Sequence, residues 1–311
     1  MAELILDGSK ILWHQDRLQE WVRGDRIVPI TIDMALTQAC QYNCGFCYAN
    51  LQRNKPHKIT FEIMKNFMDD CAEVGVKAIS LVSDGESTAN PIYEDVIVYG
   101  KSVGLDMAIA THGNTLTEEV LRKILPALTY LRFNFSAGDA KRYSEIMGVP
   151  EEKFEETCDN IKMAMKIKKE LNLDVTIGMQ MVLMPKDGDQ IIPLAKLGKE
   201  LRPDYLVIKH CSDDAEGTLG IDYDQYEDLY DLLHEAESYS DEGYLVRAKW
   251  SKITSKGVRN YSRCHGTPFH LQMSGTGLIA PCGSFFNDKF KQYHIANITQ
   301  PGIRFKDILK S

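Results

Sequence analysis

Three cysteines, Cys40, Cys44 and Cys47, fall in the stretch Ala39-Cys40-Gln41-Tyr42-Asn43-Cys44-Gly45-Phe46-Cys47-Tyr48, with the spacing Cys-x3-Cys-x2-Cys. Closely spaced thiolates suit soft metals, and iron–sulfur clusters are held by Cys thiolates, usually four of them for a [4Fe–4S] centre. Three thiolates would leave one iron open, and a metal with an open position can bind a substrate directly, whereas a structural site is closed. Zinc is the competing occupant. It would need a fourth ligand such as His57 or His112, and zinc sites are usually built from paired Cys-x2-Cys elements rather than this uneven triad. Gln41, Asn43 and Gly45 make the segment a polar loop, which argues against three thiols merely packed in a core. Cys71 and Cys158 differ: each lies on an expected helix among apolar neighbours, where a single Cys behaves as a small hydrophobe.

The elements that must position the triad follow from the hydrophobic pattern. Apolar, β-branched runs alternate with longer stretches of helical period, the pattern of repeated βα units around a parallel sheet. Six units are read, with strands at 30–37, 77–83, 106–111, 130–136, 174–183 and 205–210, and helical stretches near 60–75, 91–103, 117–126, 151–171, 189–201 and 222–238. The triad follows the first strand directly, so its thiols occupy the loop at that strand's C-terminal end, where parallel α/β folds place their sites. Thr117 and Asp222 read as helix N-caps. Residues 13–24 form a short amphipathic prelude, and Pro29 marks entry into the repeated units. Beyond about residue 240 the rhythm changes, and 270–273, Ser274-Gly275-Thr276-Gly277 and 278–281 read as a β-hairpin.

Composition bounds the rest. A chain of 311 residues with 44% hydrophobic content can bury a sizeable core. The net charge of −8, from 44 acidic against 36 basic residues, comes without any block of Lys or Arg, so no nucleic-acid partner is expected. Glu3, Asp7, Lys10 and His14 interrupt the start of the chain, and no uncharged apolar run approaches membrane-spanning length, so a cytoplasmic protein without a membrane partner is expected. Eight cysteines in such a compartment favour metal binding or catalysis over disulfides.

The triad, with the aromatic Phe46 just before its third cysteine, resembles the signature of the radical S-adenosylmethionine (SAM) superfamily, and the resemblance covers at least residues 30–210. It implies an α/β fold, a partial (β/α)6 TIM-like barrel with a small C-terminal hairpin-containing α+β module. It further implies a [4Fe–4S] cluster on Cys40, Cys44 and Cys47 whose open iron chelates the amino and carboxylate groups of SAM. An electron passed through the cluster, from a donor such as flavodoxin or ferredoxin, would then cleave SAM to methionine and a 5′-deoxyadenosyl radical that abstracts hydrogen from the substrate. By the same resemblance Phe46 lies near the adenine. Ser83-Asp84-Gly85-Glu86-Ser87-Thr88-Ala89-Asn90-Pro91 looks like the family's Gly-Gly-Glu segment with Asp84 in place of the first glycine. Gly85 would let backbone approach SAM, and Glu86 would accept hydrogen bonds from its ammonium group. Thr111-His112-Gly113-Asn114 is similar to the Thr-Asn-Gly found at this point in relatives. Ser136 is implied as a contact to the SAM ribose or carboxylate. Gln180, on the same strand face as Gly178, could reach the ribose hydroxyls. Lys209, His210 and Cys211 close the sixth strand, where adenine and substrate contacts cluster in relatives, and His210 is the candidate catalytic proton donor.

Cys264, Gly277 and Cys282 give Cys-x12-Gly-x4-Cys, and with 294–298 and 305–309 they look like a SPASM or shorter twitch module, which carries auxiliary Fe–S clusters in relatives. Two thiols cannot hold a cluster alone. Either the chain stops before the remaining ligands, or the module keeps its hairpin without a complete cluster, or Cys211 or His265 is recruited. The expected division is a prelude at 1–29, a radical SAM core at 30–215 and the C-terminal module at 216–311. For the substrate, the reading is a small polar metabolite such as a sugar or aminocyclitol, undergoing oxidation, epimerisation or deoxygenation. The alternatives are modification of a peptide by a SPASM-type maturase and, in a different class, a non-catalytic zinc-binding module.

Overall fold

Ten strands form one sheet in the computed structural model, which describes residues 9–51, 59–214 and 216–310. They are β1 (Thr31–Met34), β2 (Ala78–Leu81), β3 (Asp106–Thr111), β4 (Leu128–Asn134), β5 (Thr176–Leu183), β6 (Tyr205–His210), β7 (Leu245–Ala248), β8 (His270–Met273), β9 (Leu278–Ala280) and β10 (Ala296–Asn297). Their spatial order is β10-β9-β8-β1-β2-β3-β4-β5-β6-β7, so the sheet does not close on itself. The six expected strands are all present and pair in parallel in chain order, with ends shifted by a few residues.

Two further parallel strands extend the expected six. β7 lies outside β6, and β8 lies beside β1 in the register Thr31↔His270 to Met34↔Met273. The expected hairpin forms as β8 and β9, and it continues the main sheet instead of standing apart from it. The cause is apolar pairing: Leu271 and Met273 alternate onto the same buried side as Ile32 and Met34, so the hairpin covers the open edge of β1.

The helices are α1 (Gln15–Val22), α2 (Phe61–Val74), α3 (Tyr93–Ser102), α4 (Glu118–Ile124), α5 (Ala140–Met147), α6 (Glu152–Glu170), α7 (Ile191–Leu201), α8 (Tyr230–Glu237), α9 (Trp250–Ile253) and α10 (Phe305–Lys310). Thr117 caps α4 as expected, its hydroxyl accepting from Val120 N at 3.4 Å. The stretch 222–238 divides into a 3-10 segment, Tyr223–Leu229, followed by α8, and Asp222 caps the former. α5 was not foreseen. It begins at Asp139, which accepts from Arg142 N at 2.9 Å, and ends at Gly148 in the left-handed conformation. At the far end of the chain Arg304 grips the buried Asp70 of α2 with two nitrogens, at 2.9 and 2.6 Å, which seats α10.

Strand alternation divides the sheet into two faces. Leu131, Phe133, Ile177, Met179, Met181, Leu206 and Ile208 pack against the helices and form the core, together with Cys71 and Cys158. The opposite face carries Asp33, Ser80, Tyr130, Arg132, Asn134, Gly178, Gln180, Tyr205 and Lys209. A face this polar in the middle of a parallel sheet is not needed for folding, because buried parallel strands otherwise read as continuous apolar runs. All eight cysteines are free. No described helix is long and apolar enough to cross a membrane.

Candidate functional site

The cysteine loop leaves β1 and is pinned from three sides. Its backbone is held first by the last turn of α5: Asn43 N donates to Met147 O at 3.2 Å, and Gly45 N donates to Ile146 O at 3.0 Å. These are carbonyls that a helix C-terminus leaves unpaired. On the second side Glu86 N donates to Ala39 O at 2.9 Å, next to Cys40. The third side is the β8–β9 turn, where Gln38 Nε2 donates to Ser274 Oγ at 3.0 Å. Glycine is required at two of these contacts. A Cβ on Gly85 would stand 2.3 Å from Thr37 O, and one on Gly148 would stand 2.3 Å from Asn43 O. Both residues also have positive φ, which side chains rarely adopt.

Within the loop Cys40 is exposed, and Cys44 and Cys47 are half-buried. Although the residue is exposed as a whole, partial desolvation of its thiol pushes Cys40 up to about 11, against a backbone hydrogen bond from Tyr42 and with the Glu86 and Cys47 charges adding to the rise. The Cys44 thiol is also held well above its ordinary range, by burial first and then by Cys47 and Cys40. The charges of Cys40, Cys44 and Cys47 oppose one another, and a coordinating metal removes that opposition by deprotonating a thiol outright. The donor set therefore fits an iron–sulfur cluster. Of the residues weighed as a fourth zinc ligand, His57 lies outside the described residues. The ring of His112 is 4% exposed and stacks flat on Tyr42 at 4.0 Å, with Nδ1 accepting from Asn114 N and Nε2 beside Gln41 Oε1 at 3.2 Å. Among the described residues no three His, Cys, Asp or Glu side chains are arranged to hold a single metal ion.

Glu86 is buried beside the loop, and its carboxylate is oriented by neighbours. Oε1 accepts from Thr88 N at 3.1 Å and from Thr88 Oγ1 at 2.9 Å, while Oε2 accepts from His112 N at 3.0 Å. A carboxylate has about four acceptor positions, so capacity remains for an ammonium group. Burial pushes the His112 imidazole below its usual range, which keeps it neutral. Its accepting Nδ1 then places the ring proton on Nε2. Gln38 Oε1 is buried without a hydrogen-bond partner and is a second free acceptor near the cysteines.

Asp84, which stands where the motif has glycine, spends its carboxylate on structure. Oδ2 accepts from Gln38 Nε2 at 2.5 Å and from Ser274 Oγ at 2.6 Å, and Oδ1 accepts from Gly275 N at 2.9 Å. The Ser136 hydroxyl accepts from Val182 N at 3.2 Å and ties β4 to β5 beyond their paired segment. Gln180 lies on the helix-free face with Gly178, as expected, and its Nε2 donates to Asn134 Oδ1 at 3.3 Å. Phe46 is half-buried and lines a cleft of about 260 Å³ with Gly45, Ile146, Met184, Lys186 and Asp187. His210 alternates to the helix side, with Nδ1 2.5 Å from Cys211 O and its ring edge-on to Tyr223 and Tyr226. Cys211 turns the other way, and its thiol meets Phe46 O at 3.6 Å. Cys264 is exposed and Cys282 half-buried. The features that sequence reasoning missed are α5 and the docking of the expected hairpin turn on the cysteine loop, two of the contacts that clamp it. The capping pair Asp139 and Gly148 was the signal for α5.

Comparison with known proteins agrees with this arrangement. The model of the Radical SAM superfamily matches residues 34–197. The chain is 27% identical over 175 residues to the AdoMet-dependent heme synthase of Methanosarcina barkeri, covering 56% of this chain and 48% of that one, so it spans about half the length of this relative. It is 20% identical over 263 residues to the tungsten-containing aldehyde ferredoxin oxidoreductase cofactor-modifying protein of Pyrococcus furiosus, covering 84% of this chain and 72% of that one. In fold it resembles Streptococcus suis SuiB bound to precursor peptide SuiA, with a TM-score of 0.71 at 15% identity over 100% of this chain and 72% of that one.

Proposed function

The chain belongs to the radical SAM superfamily, and on that premise we propose that it reductively cleaves SAM at a [4Fe–4S] cluster held by Cys40, Cys44 and Cys47 and takes hydrogen from a substrate seated on the helix-free face of its sheet. One contact carries the reading: Glu86 N donates to Ala39 O, so the loop bearing the thiols and the loop bearing the buried carboxylate form a single unit. Bound cluster and SAM would supply the radical chemistry, and the protein supplies placement and exclusion of water. Glu86 receives the SAM ammonium, with Thr88 and the His112 backbone fixing its angle. Phe46 borders the cleft that takes the adenine. Gln180 reaches the ribose from β5, and Ser136 stiffens the strand end beside it. Asp84 holds the framework. His210, which faces the helices, has no part in the proton traffic of this reading.

Residues 1–29, 30–215 and 216–311 act in this reading as prelude, core and C-terminal module, the last sharing the core's sheet. Eight free thiols support a reducing compartment such as the cytoplasm. The substrate is a small polar metabolite. Peptide modification is the second reading, favoured by the fold likeness to SuiB, whose structure holds a precursor peptide.

The test is anaerobic reconstitution with iron and sulfide, then dithionite and SAM. Formation of 5′-deoxyadenosine that vanishes in Cys40→Ala and Cys44→Ala supports the reading, and a colourless zinc protein that leaves SAM intact sinks it. Iron content decides whether Cys264 and Cys282 serve an auxiliary cluster: roughly four irons per chain means one cluster, roughly eight means two. Deuterium transfer into 5′-deoxyadenosine from labelled metabolites or peptides separates the two substrate classes.

A further inference from the structure

We propose that Arg132 and Lys209, on the helix-free face of the sheet, form a subsite for an oxyanion of the substrate, either a carboxylate or a phosphate. The proposal rests on the reading that this face seats the substrate, and it narrows the substrate to an anionic class.

Arg132 Nε is buried and has no hydrogen-bond partner. Among the described residues neither Arg132 nor Lys209 forms an ion pair or a side-chain hydrogen bond. Two carboxylates share their face, and both are engaged elsewhere: Asp33 by His270 at 3.1 Å, and Asp106 by Lys101 at 3.7 Å at the N-terminal end of β3. Arg132 and Lys209 are half-buried cations, and a buried guanidinium nitrogen without an acceptor is costly for folding alone, whereas fixed positive charge concentrates anions.

The local shape suits such a ligand. Arg132 is the register partner of Gly178, and Gly178 is the partner of Tyr205. The Tyr205 ring lies so close over Gly178 that an added Cβ would come within 2.2 Å of its Cζ, which places a flat aromatic surface beside Arg132 on this face. Asn134 and Gln180, hydrogen-bonded to each other, supply neutral polar groups on the same face. Lys209 stands at the C-terminal end of β6, two residues before the Cys211 thiol that touches Phe46 O, so the subsite opens toward the cysteine loop. Burial, with Arg132, Lys252 and Lys249 nearby and only Cys211 opposing, pulls the Lys209 ammonium down to about 7. An anion bound beside it would favour its charged form. The Arg132 fork can take two oxygens of a carboxylate or phosphate, with the lysine as a point charge on another.

The experiment uses the reconstituted full chain and titrates sulfate, as a stand-in for a phosphate group, and malonate, as a stand-in for a carboxylate, by calorimetry at an ionic strength fixed with chloride. Wild type is expected to show one saturable site for at least one probe. Arg132→Gln and Lys209→Met should each weaken it by roughly tenfold or more, and Lys209→Arg should bind within a few-fold of wild type. Lys166→Gln, on an exposed stretch of α6, should leave it unchanged. Binding of sulfate alone assigns a phosphate ester, and binding of malonate alone assigns a carboxylate. Wild type that binds neither probe above the chloride control overturns the proposal, as do Arg132→Gln and Lys209→Met variants that bind like wild type. Should Arg132→Gln fail to fold, the contrast between Lys209→Met and Lys209→Arg decides alone. SAM cleavage is read separately, so a chain that binds the anion and leaves SAM intact retains the subsite and loses the enzymatic reading.

Discussion

The carboxylate of Asp84 and the hydroxyl of Ser274, 190 residues apart in the chain, meet at 2.6 Å inside the protein. Asp84→Ala would leave the Ser274 hydroxyl, the Gly275 N–H and the Gln38 amide without their shared acceptor. A loss of about 2–3 kcal/mol is expected in urea unfolding. Burial holds the Asp84 carboxyl above the usual aspartate range, so its hydrogen bonds only partly offset desolvation, and Asp84→Asn should cost less than Asp84→Ala. Equal losses for the two variants would contradict this account.

Gly85 cannot be replaced without moving the cysteine loop, because its φ of 114° is combined with backbone 2.3 Å from where a Cβ would stand. Gly85→Ala is expected to lose about 1–3 kcal/mol of stability and most of its iron uptake on reconstitution. A variant that binds iron like wild type would show that the loop adapts.

In the proposed site Glu86→Gln removes the charge offered to the SAM ammonium and should weaken SAM binding roughly tenfold to a hundredfold in equilibrium dialysis of the reconstituted protein. Thr88→Val removes only the hydroxyl that donates to Glu86 Oε1 at 2.9 Å, so a few-fold loss is expected. If Thr88→Val equals Glu86→Gln, the threonine does more than orient the carboxylate.

His270 gives a pH dependence with a definite sign. Burial works against its charge, but the hydrogen bond and negative charge of Asp33 outweigh it, so the imidazole titrates above the ordinary value of 6.5. Stability from this pair is fully present below 6.5 and is lost as pH rises through the folded-state value. The stability difference between wild type and Asp33→Asn should therefore be largest near a pH of about 6 and shrink toward about 9. A difference that grows with pH would reverse the assignment.

The sequence revealed most of what local pattern can encode. Strands such as Asp106–Thr111 and Tyr205–His210 were legible because their apolar runs are bounded by turn residues, and the triad was legible because its spacing is short-range. β7 and the parallel pairing of β8 with β1 were not, since Leu245–Ala248 and His270–Met273 are four-residue runs whose partners lie far away in the chain. The use of Asp84 as a tie to Ser274 was hidden for the same reason. Arg132 carried a fainter signal: Tyr130, Arg132 and Asn134 alternate with Leu131 and Phe133, a polar face that a buried parallel strand would ordinarily lack.

The clamp on the cysteine loop also bears on when the protein can mature. Gln38 and Ser274, joined at 3.0 Å, are separated by 236 residues, so the thiols leave the ribosome long before the turn that closes over them has been made. Until then the loop has lost one of its three walls and its cysteines are open to oxidation or to stray metal. A cluster on the proposed triad could therefore be held in its final setting only once the chain is nearly complete, and a protein interrupted before the β8–β9 turn would carry the three cysteines with the α5 and Glu86 contacts but without the Ser274 tie.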